Sequence, residues 1–153
     1  MKKIDLICVG EQKFPGLREL EKKYLQAIGY YVEFTNHSVR EGKGDDDPVR
    51  LAREGEAMNR HLLRGDFVVA LDRQGKQMDS VEFARFVSEK LSYHSGRLVF
   101  LIGGFLGISP AVAPIHKSIS FSAMTFPHDL FRVIFLEQIY RALTITAGLP
   151  YHR

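Results

Sequence analysis

The sequence is poor in cysteine, with Cys8 alone among its 153 residues, and it has no long apolar run. A single cysteine excludes a disulfide framework and a cysteine zinc site, and it suits a reducing compartment. No apolar stretch approaches the length of a membrane span. The first apolar run, residues 4–9, contains Asp5 and is too short and too polar for a signal peptide. We therefore expect a cytoplasmic protein with no membrane partner.

Metal-binding patterns are also missing. The six histidines show no H-x-x-x-H or comparable ligand spacing, so we expect no metal site. His128 stands apart from the other histidines because it follows Thr125-Phe126-Pro127 at a predicted helix N-terminus. The formal net charge of +3 permits nucleic acid as a partner without requiring it.

Two strand-like segments end close together in the sequence. The apolar run 98–102 stops at Gly103 and Gly104, as a central strand of a covered parallel sheet does. Because glycine has no Cβ, a ligand can reach the backbone groups there. A second segment, residues 118–122, leads into small residues nearby. Ligands of open α/β sheets bind beyond the carboxyl ends of strands, so the sequence predicts one pocket at these two strand ends.

Strand-like segments alternate with segments of helical periodicity along the chain. The predicted strands are residues 3–9, 31–35, 67–71, 98–102 and 118–122. The predicted helices begin near Pro15, Asp47, Asp79, Ala111 and His128. This alternation predicts a single α/β domain whose mostly parallel sheet carries helices on both faces.

Local signals refine these elements. Asp47-Pro48 is expected to cap and start the second helix, and Asp79 with Glu82 resembles a capping box. Gly75-Lys76 is expected to form a turn, and Ser109-Pro110 is expected to start a short helix over residues 111–116.

The last predicted helix, residues 128–146, is apolar nearly all round. Only a narrow polar strip remains, around Arg132, Glu137 and Arg141. Such a helix is buried on more than one side. We expect the second side to be the interface of a homodimer, with Ile134 and Phe135 in the contact.

Several features leave two interpretations open. The glycine loop 103–107 has the spacing G-G-x-x-G, which is a weak dinucleotide signal or a tight turn. Arg53, Arg60 and Arg64 share a helix face that either tracks phosphates or is simply solvated. The terminal residues 151–153 suit RNA stacking and hydrogen bonding, or they form a frayed tail.

Six segments together resemble a known family. They are IDLICVG at 4–10, VALDRQGK at 69–76, LIGGFLGISP at 101–110, SFSAMTFPH at 120–128, RVIFLEQIYRA at 132–142 and PYHR at 150–153. They resemble the bacterial RlmH family of the SPOUT superfamily, whose members methylate a pseudouridine of large-subunit ribosomal RNA. The resemblance covers essentially the whole chain. It departs from the family at Phe105-Leu106, where a more polar or proline-containing pair is common, and residues 11–50 carry little recognisable motif.

The resemblance implies one SPOUT domain over residues 1–153 with a C-terminal trefoil knot, a rare threaded topology. It implies S-adenosylmethionine as cofactor and methylation at N3 of a pseudouridine in helix 69 of 23S rRNA, on the assembled 70S ribosome. It also implies a homodimer in which the tail of one subunit completes the site of the other. The implied cofactor-binding residues are Leu71, Gly103, Gly104, Phe121, Ser122, Ala123, Met124, Thr125 and Phe126. The implied catalytic candidates are His128, Arg132, Glu137, Tyr151, His152 and Arg153.

Two other functions stay open on the sequence. The first is a nucleotide-dependent oxidoreductase that uses the glycine loop and binds NAD. The second is a non-catalytic dimer that binds ribosomes through an inactive pocket. Binding of S-adenosylmethionine or of NAD separates the first from a methyltransferase, and methyl transfer separates the second.

Overall fold

The protein is described by a computed structural model that covers residues 1–153. Its strands are β1 (Lys3–Val9), β2 (Glu33–Val39), β3 (Phe67–Gln77), β4 (Leu98–Ile102) and β5 (Lys117–Ser120). Its helices are α1 (Pro15–Ile28), α2 (Asp47–Asn59), α3 (Ser80–Tyr93) and α4 (His128–Thr146). None of the four helices combines the length and the apolar character that crossing a bilayer requires.

The five strands form one sheet in the order β2-β1-β4-β3-β5, and every neighbouring pair is parallel. β4 occupies the centre, and each of its five residues is buried. This explains why residues 98–102 are apolar without alternation, since helices or loops cover both faces of the strand.

The two faces of the sheet carry cores of unequal size. Ile4, Leu6 and Cys8 of β1 point to one face, where α1, α3 and α4 pack in a cluster of 20 buried residues. Ile7 and Val9 point to the other face, where α2 and the segment after β4 complete a cluster of 8. The α/β prediction, with helices on both faces, is confirmed. The trefoil knot that the resemblance implies stays a prediction.

β3 is longer than the sequence suggested. The expected turn at Gly75-Lys76 is wrong, because β3 bulges after Leu71 and resumes its pairing with β5 at Lys76. Both Leu71 and Lys76 lie opposite Ile119, so residues 72–75 protrude from the ladder. Gly75 is required there, because a Cβ on this residue would stand 2.6 Å from the Ser118 carbonyl carbon.

The expected short helix over residues 111–116 is absent. Pro114 would lie in its interior, where proline has no N–H to donate and clashes with the preceding turn. Residues 112–116 instead have no regular secondary structure, and His116 lies beside β3. The His116 N–H donates to the Val68 carbonyl over 2.9 Å, and the Val68 N–H donates to His116 Nδ1 over 2.9 Å.

Two element starts are displaced from their predicted positions. β2 begins at Glu33 rather than residue 31, because the Tyr31 N–H still donates to the Ile28 carbonyl at the end of α1. The cap of α2 is Asp46 rather than Asp47, and its carboxylate accepts the Val49 N–H over 3.0 Å. The capping box of Asp79 and Glu82 is confirmed.

α4 begins and ends at the residues that the sequence predicted, but a residue expected at the subunit interface lies in the core instead. Phe135 is fully buried within its own subunit, against Phe100 with ring centroids 5.0 Å apart. The expectation that Phe135 lies in a subunit interface is therefore wrong. Ile134, one residue earlier, is half-buried and stays a candidate for that contact.

Candidate functional site

A cavity of about 730 Å³ lies at the carboxyl ends of β3 and β4 and beside the chain that follows β5. Its lining comes from the β3 bulge, the glycine loop after β4, the segment after β5 and the first turn of α4. All the predicted cofactor-binding residues except Ala123 lie in this lining. Their binding role stays a prediction, but the fold does bring them together.

The glycine loop forms a closed turn on the cavity wall. The Gly107 N–H donates to the Gly104 carbonyl over 3.0 Å, and Gly107 has a φ of +80°. A Cβ on Gly103 would meet the Gly107 carbonyl oxygen at 2.3 Å, so the turn closes only with glycine at 103. A Cβ on Gly104 would meet Val9 at 3.1 Å, which places that direction in the core rather than in the cavity.

The segment after β5 forms the facing wall. The Ser120 hydroxyl donates to the Ser122 carbonyl over 3.0 Å, and the Ser122 hydroxyl accepts the Met124 N–H over 3.0 Å. Phe121 anchors the segment by packing against Phe83 and Phe131, at centroid distances of 5.2 and 5.5 Å. Local hydrogen bonds and one partly buried ring therefore fix the backbone of this wall.

His128 lies in the cavity lining at the start of α4. Its Nε2 is buried without a hydrogen-bond partner, 3.4 Å from Asp129 Oδ1. The Gln12 side-chain amide donates to the Asp129 carbonyl over 2.9 Å and ties this first turn to the loop after β1.

Arg132, a predicted catalytic residue, does not lie in the cavity lining. It is buried, and its Nε lies 2.6 Å from Glu21 Oε1, although the two groups are not aligned as a hydrogen bond. A second nitrogen donates to the Gly10 carbonyl over 3.1 Å. Burial raises the pKa of Glu21, and the Arg132 guanidinium opposes this shift. The structure buries Arg132 between α4 and α1, whereas Glu137 and Arg141, the other residues of the predicted polar strip, are only partly buried.

Glu21 was missed by the sequence analysis, although a signal exists. It stands four residues after Leu17 and seven before Ile28, in the middle of the apolar stripe of α1. A carboxylate buried within an apolar stripe is unfavourable unless a cation lies beside it, and Arg132 is that cation.

The C-terminal tail is docked on α4 rather than frayed. The Tyr151 hydroxyl donates to Glu137 Oε1 over 3.1 Å, and the Arg141 guanidinium lies 4.8 Å from the Tyr151 ring centroid. Arg141 also contacts His152 Nδ1 at 3.1 Å and Glu137 at 2.6 Å. Burial and the Glu137 carboxylate raise the pKa of Tyr151 well above its ordinary value, so this hydroxyl stays protonated. Arg153 at the end of the tail is exposed.

These tail contacts lie outside the cavity of the same subunit. Glu137 is nine residues after His128 along α4, which corresponds to about 13 Å at 1.5 Å per residue. Neither Glu137 nor the tail residues 151–153 belong to the cavity lining. Of the six predicted catalytic residues, one subunit therefore brings only His128 to the cavity.

The fold and the strand-end cavity define a class of protein. A family model described as "Predicted SPOUT methyltransferase" matches residues 1–152. The fold is also similar to a crystal structure titled "Probable Methyltransferase from Bordetella pertussis Tohama I". The TM-score is 0.58 at 14% identity, with 93% of this chain and 95% of that chain covered. The chain belongs to the SPOUT methyltransferase family, and the prediction of an enzyme of this class is confirmed.

Curated relatives narrow this class. The chain is 43% identical to the ribosomal RNA large subunit methyltransferase H of Bacteroides fragilis, over 98% of each chain. It is 38% identical to the protein of that name from Carboxydothermus hydrogenoformans, over 98% of this chain and 99% of the relative. For the Bradyrhizobium diazoefficiens protein of the same name the identity is 35%, over 99% of each. The resemblance found in the sequence is thereby confirmed.

Proposed function

We propose that this protein transfers a methyl group from S-adenosylmethionine to N3 of a pseudouridine in helix 69 of 23S rRNA, on the assembled 70S ribosome. The observation that carries the proposal is the cavity at the ends of β3 and β4, in a chain of the SPOUT methyltransferase family. Relatives named as ribosomal RNA large subunit methyltransferase H support the choice of substrate.

The cavity fits a nucleoside-containing cofactor. Its volume of about 730 Å³ lies within the usual range for ligand pockets, and its lining combines apolar strand ends with the backbone of two loops. Leu71, Ile102 and Phe121 offer apolar surface to an adenosine. The backbone groups of the glycine loop and of residues 122–125 that the local hydrogen bonds leave unused are proposed to bind its polar atoms.

The reaction mainly requires that the acceptor nitrogen is aligned with the methyl group. S-adenosylmethionine supplies an already activated methyl group, so the protein has to orient the acceptor nitrogen toward it. The N3 proton of the base must also leave, and a nearby cation or base favours the reactive anion. His128 on the cavity and His152 and Arg153 on the tail are the candidates for this part.

A homodimer is part of the proposal, because one subunit leaves its tail away from its own cavity. In a dimer the tail of one copy would reach the cavity of the other and bring residues 151–153 to the target base. The half-buried side of α4 that includes Ile134 offers apolar surface for such a contact.

The structure disfavours the oxidoreductase alternative. A dinucleotide motif places its pyrophosphate on the N-terminus of the helix that follows the glycine loop. No helix follows Gly107 here, since the chain stays irregular until β5 at Lys117. Titration calorimetry with S-adenosylmethionine and NAD tests this directly, and radiolabelled methyl incorporation into ribosomes tests the reaction. Binding of NAD alone would overturn the proposal, and binding without transfer would favour the non-catalytic dimer.

Gly103→Ala is expected to weaken S-adenosylmethionine binding at least about tenfold, equivalent to about 1.4 kcal/mol. The added Cβ would stand 2.3 Å from the Gly107 carbonyl oxygen, so the turn must open and displace the cavity wall. Titration calorimetry measures the affinity. Gly16→Ala is the matched control, because its Cβ would meet nothing within 4 Å. An unchanged affinity in Gly103→Ala would remove this turn from the site.

A further inference from the structure

Phe105 occupies the tip of the turn between Gly104 and Gly107, on the lining of the cavity. Its side chain is unusual for a phenylalanine, since 76% of the residue is exposed to solvent. The neighbouring rings of the same site behave differently. Phe126 stacks on Phe131 at a centroid distance of 6.4 Å, whereas Phe105 has no aromatic neighbour and joins neither core cluster.

The turn holds this ring outward. The Gly107 N–H closes the turn on the Gly104 carbonyl, and the Gly103 position packs against the Gly107 backbone. Leu71 and Ile102, which also line the cavity, are buried by contrast. A cofactor that covered those two residues would leave the exposed Phe105 ring available to a second ligand.

Two other exposed side chains of the cavity lining also suit a nucleotide. Met124 is 73% exposed on the facing wall and offers a polarizable thioether beside the cavity. Arg73, in the β3 bulge, is exposed on the same lining and, unlike Arg97 and Arg132, forms no salt bridge. A flat exposed ring and a guanidinium without a salt bridge, both on the lining of one cavity, suit a nucleotide, whose base stacks and whose phosphate is anionic.

We propose that Phe105 stacks on a nucleobase of the RNA substrate and that Arg73 contacts a phosphate of the same strand. This turn is then a positioning element for the acceptor strand above the methyl donor. The inference rests on the proposed function and deepens it by naming side chains that hold the substrate. Single-stranded or loop bases are the partners this geometry favours, because stacking needs an exposed π-face.

Three variants of Phe105 test the stacking. Phe105→Ala removes the ring, Phe105→Leu keeps apolar bulk without a π-face, and Phe105→Tyr keeps the ring. We expect KM for ribosomes to rise about tenfold in Phe105→Ala and Phe105→Leu, with a smaller change in kcat, and to stay close to wild type in Phe105→Tyr. Affinity for S-adenosylmethionine and the sedimentation coefficient are expected to stay unchanged in all three.

Other outcomes would overturn the inference. A normal KM in Phe105→Leu would mean that bulk rather than stacking matters, and a normal KM in Phe105→Ala would remove the contact altogether. Weaker S-adenosylmethionine binding would place the ring on the cofactor, and dissociation into monomers would place it in a subunit contact. Wild-type protein that binds ribosomes and transfers no methyl group would instead overturn the proposed function.

The salt dependence of KM for ribosomes tests the proposed contact of Arg73 with a phosphate. In Arg73→Gln the slope of log KM against log salt concentration for ribosomes is expected to fall by about one, as for one lost phosphate contact. Arg85→Gln is the matched control, since Arg85 is an exposed arginine on α3 outside this cavity. Equal slopes in the two variants would remove Arg73 from the RNA contact.

Discussion

Removal of residues 151–153 is expected to lower methyl transfer to ribosomes by orders of magnitude while leaving S-adenosylmethionine affinity unchanged. The tail is absent from the cavity lining of its own subunit, so its loss leaves the cavity walls intact. Stability should also hold, because Arg141 keeps its 2.6 Å salt bridge with Glu137 once Tyr151 and His152 are gone. The truncation removes a ring, an imidazole and a guanidinium, which the proposed function assigns to orienting the target base.

The affinity for S-adenosylmethionine is measured by titration calorimetry and methyl transfer by radiolabelled methyl incorporation into ribosomes, both on one preparation. Tyr93→Ala, which alters an exposed tyrosine on α3, controls for the loss of a surface ring. Full activity in the truncated protein would show that the tail has no role. Loss of cofactor binding together with activity would show that the tail has a structural role.

Mixing the truncated chain with Gly103→Ala, at an S-adenosylmethionine concentration too low to fill the weakened cavity, tests whether the tail acts in the partner's site. The truncated chain keeps an intact cavity, and Gly103→Ala keeps an intact tail. In a heterodimer of the two, one of the two composite sites has both parts. If half of the dimers are mixed after exchange of subunits, activity is expected to return to about a quarter of the wild-type value. No recovery despite proven exchange would show that each subunit uses its own tail.

Arg132→Met is expected to cost about 3–5 kcal/mol of unfolding free energy at neutral pH. The change leaves Glu21 buried without its cation, and a buried unpaired carboxylate is strongly unfavourable. A loss of this size is a large part of the usual stability of a domain, about 5–15 kcal/mol. Urea unfolding followed by circular dichroism measures it. Lys3→Met, which breaks the exposed pair of Lys3 with Glu33, is the control and should cost at most about 1 kcal/mol.

The same variant should show a pH dependence of defined sign. Burial raises the pKa of Glu21, and Arg132 lowers it, so loss of Arg132 moves that pKa further up. A raised carboxyl pKa means that the folded state binds the proton more readily than the unfolded state. The deficit of Arg132→Met relative to wild type therefore shrinks as the pH falls and Glu21 becomes protonated. A deficit that is the same at all pH values would show that the charge of Glu21 is not its cause.

Replacing both partners separates the charge from the packing. Glu21→Leu combined with Arg132→Met removes the ion pair as a whole, which is often neutral or stabilising. We expect the double variant to recover most of the loss. Part should persist, because the Gly10 carbonyl still loses the hydrogen bond from Arg132.

The sheet and the ends of α4 could be predicted because their signals are local. The apolar run of β4 and the 3.6-residue period of α4 follow from which faces are covered. The β3 bulge could not be predicted, because a glycine followed by lysine in the sequence is typical of a turn. Gly75 is instead required by the close approach of the Ser118 backbone, which only the structure shows. Arg132 was misplaced for the same reason. Periodicity within α4 shows a polar position, but only the packing of α1 shows that Glu21 meets it.

The position of the cavity could also be predicted, because carboxyl ends of parallel strands meet at one edge. The composition of its wall could not. That a side chain on Gly104 would point toward Val9 in the core depends on where Val9 lies. The docking of Tyr151 on Glu137 joins residues fourteen positions apart through a turn that has no distinctive sequence signal.

The central position of β4 has a consequence for how the chain acquires its structure. β1 pairs with β4 through partners such as Ile4 and Leu98, which are far apart in sequence, and β3 reaches β1 only through β4. A nascent chain that ends before residue 98 can therefore pair β1 with β2 but has no continuous sheet. The entropy cost of closing such long loops comes before the stabilising contacts between the strands form, and this makes folding slow. The protein is thus expected to fold late in its synthesis, as one cooperative step that waits for β4, the strand before the glycine loop.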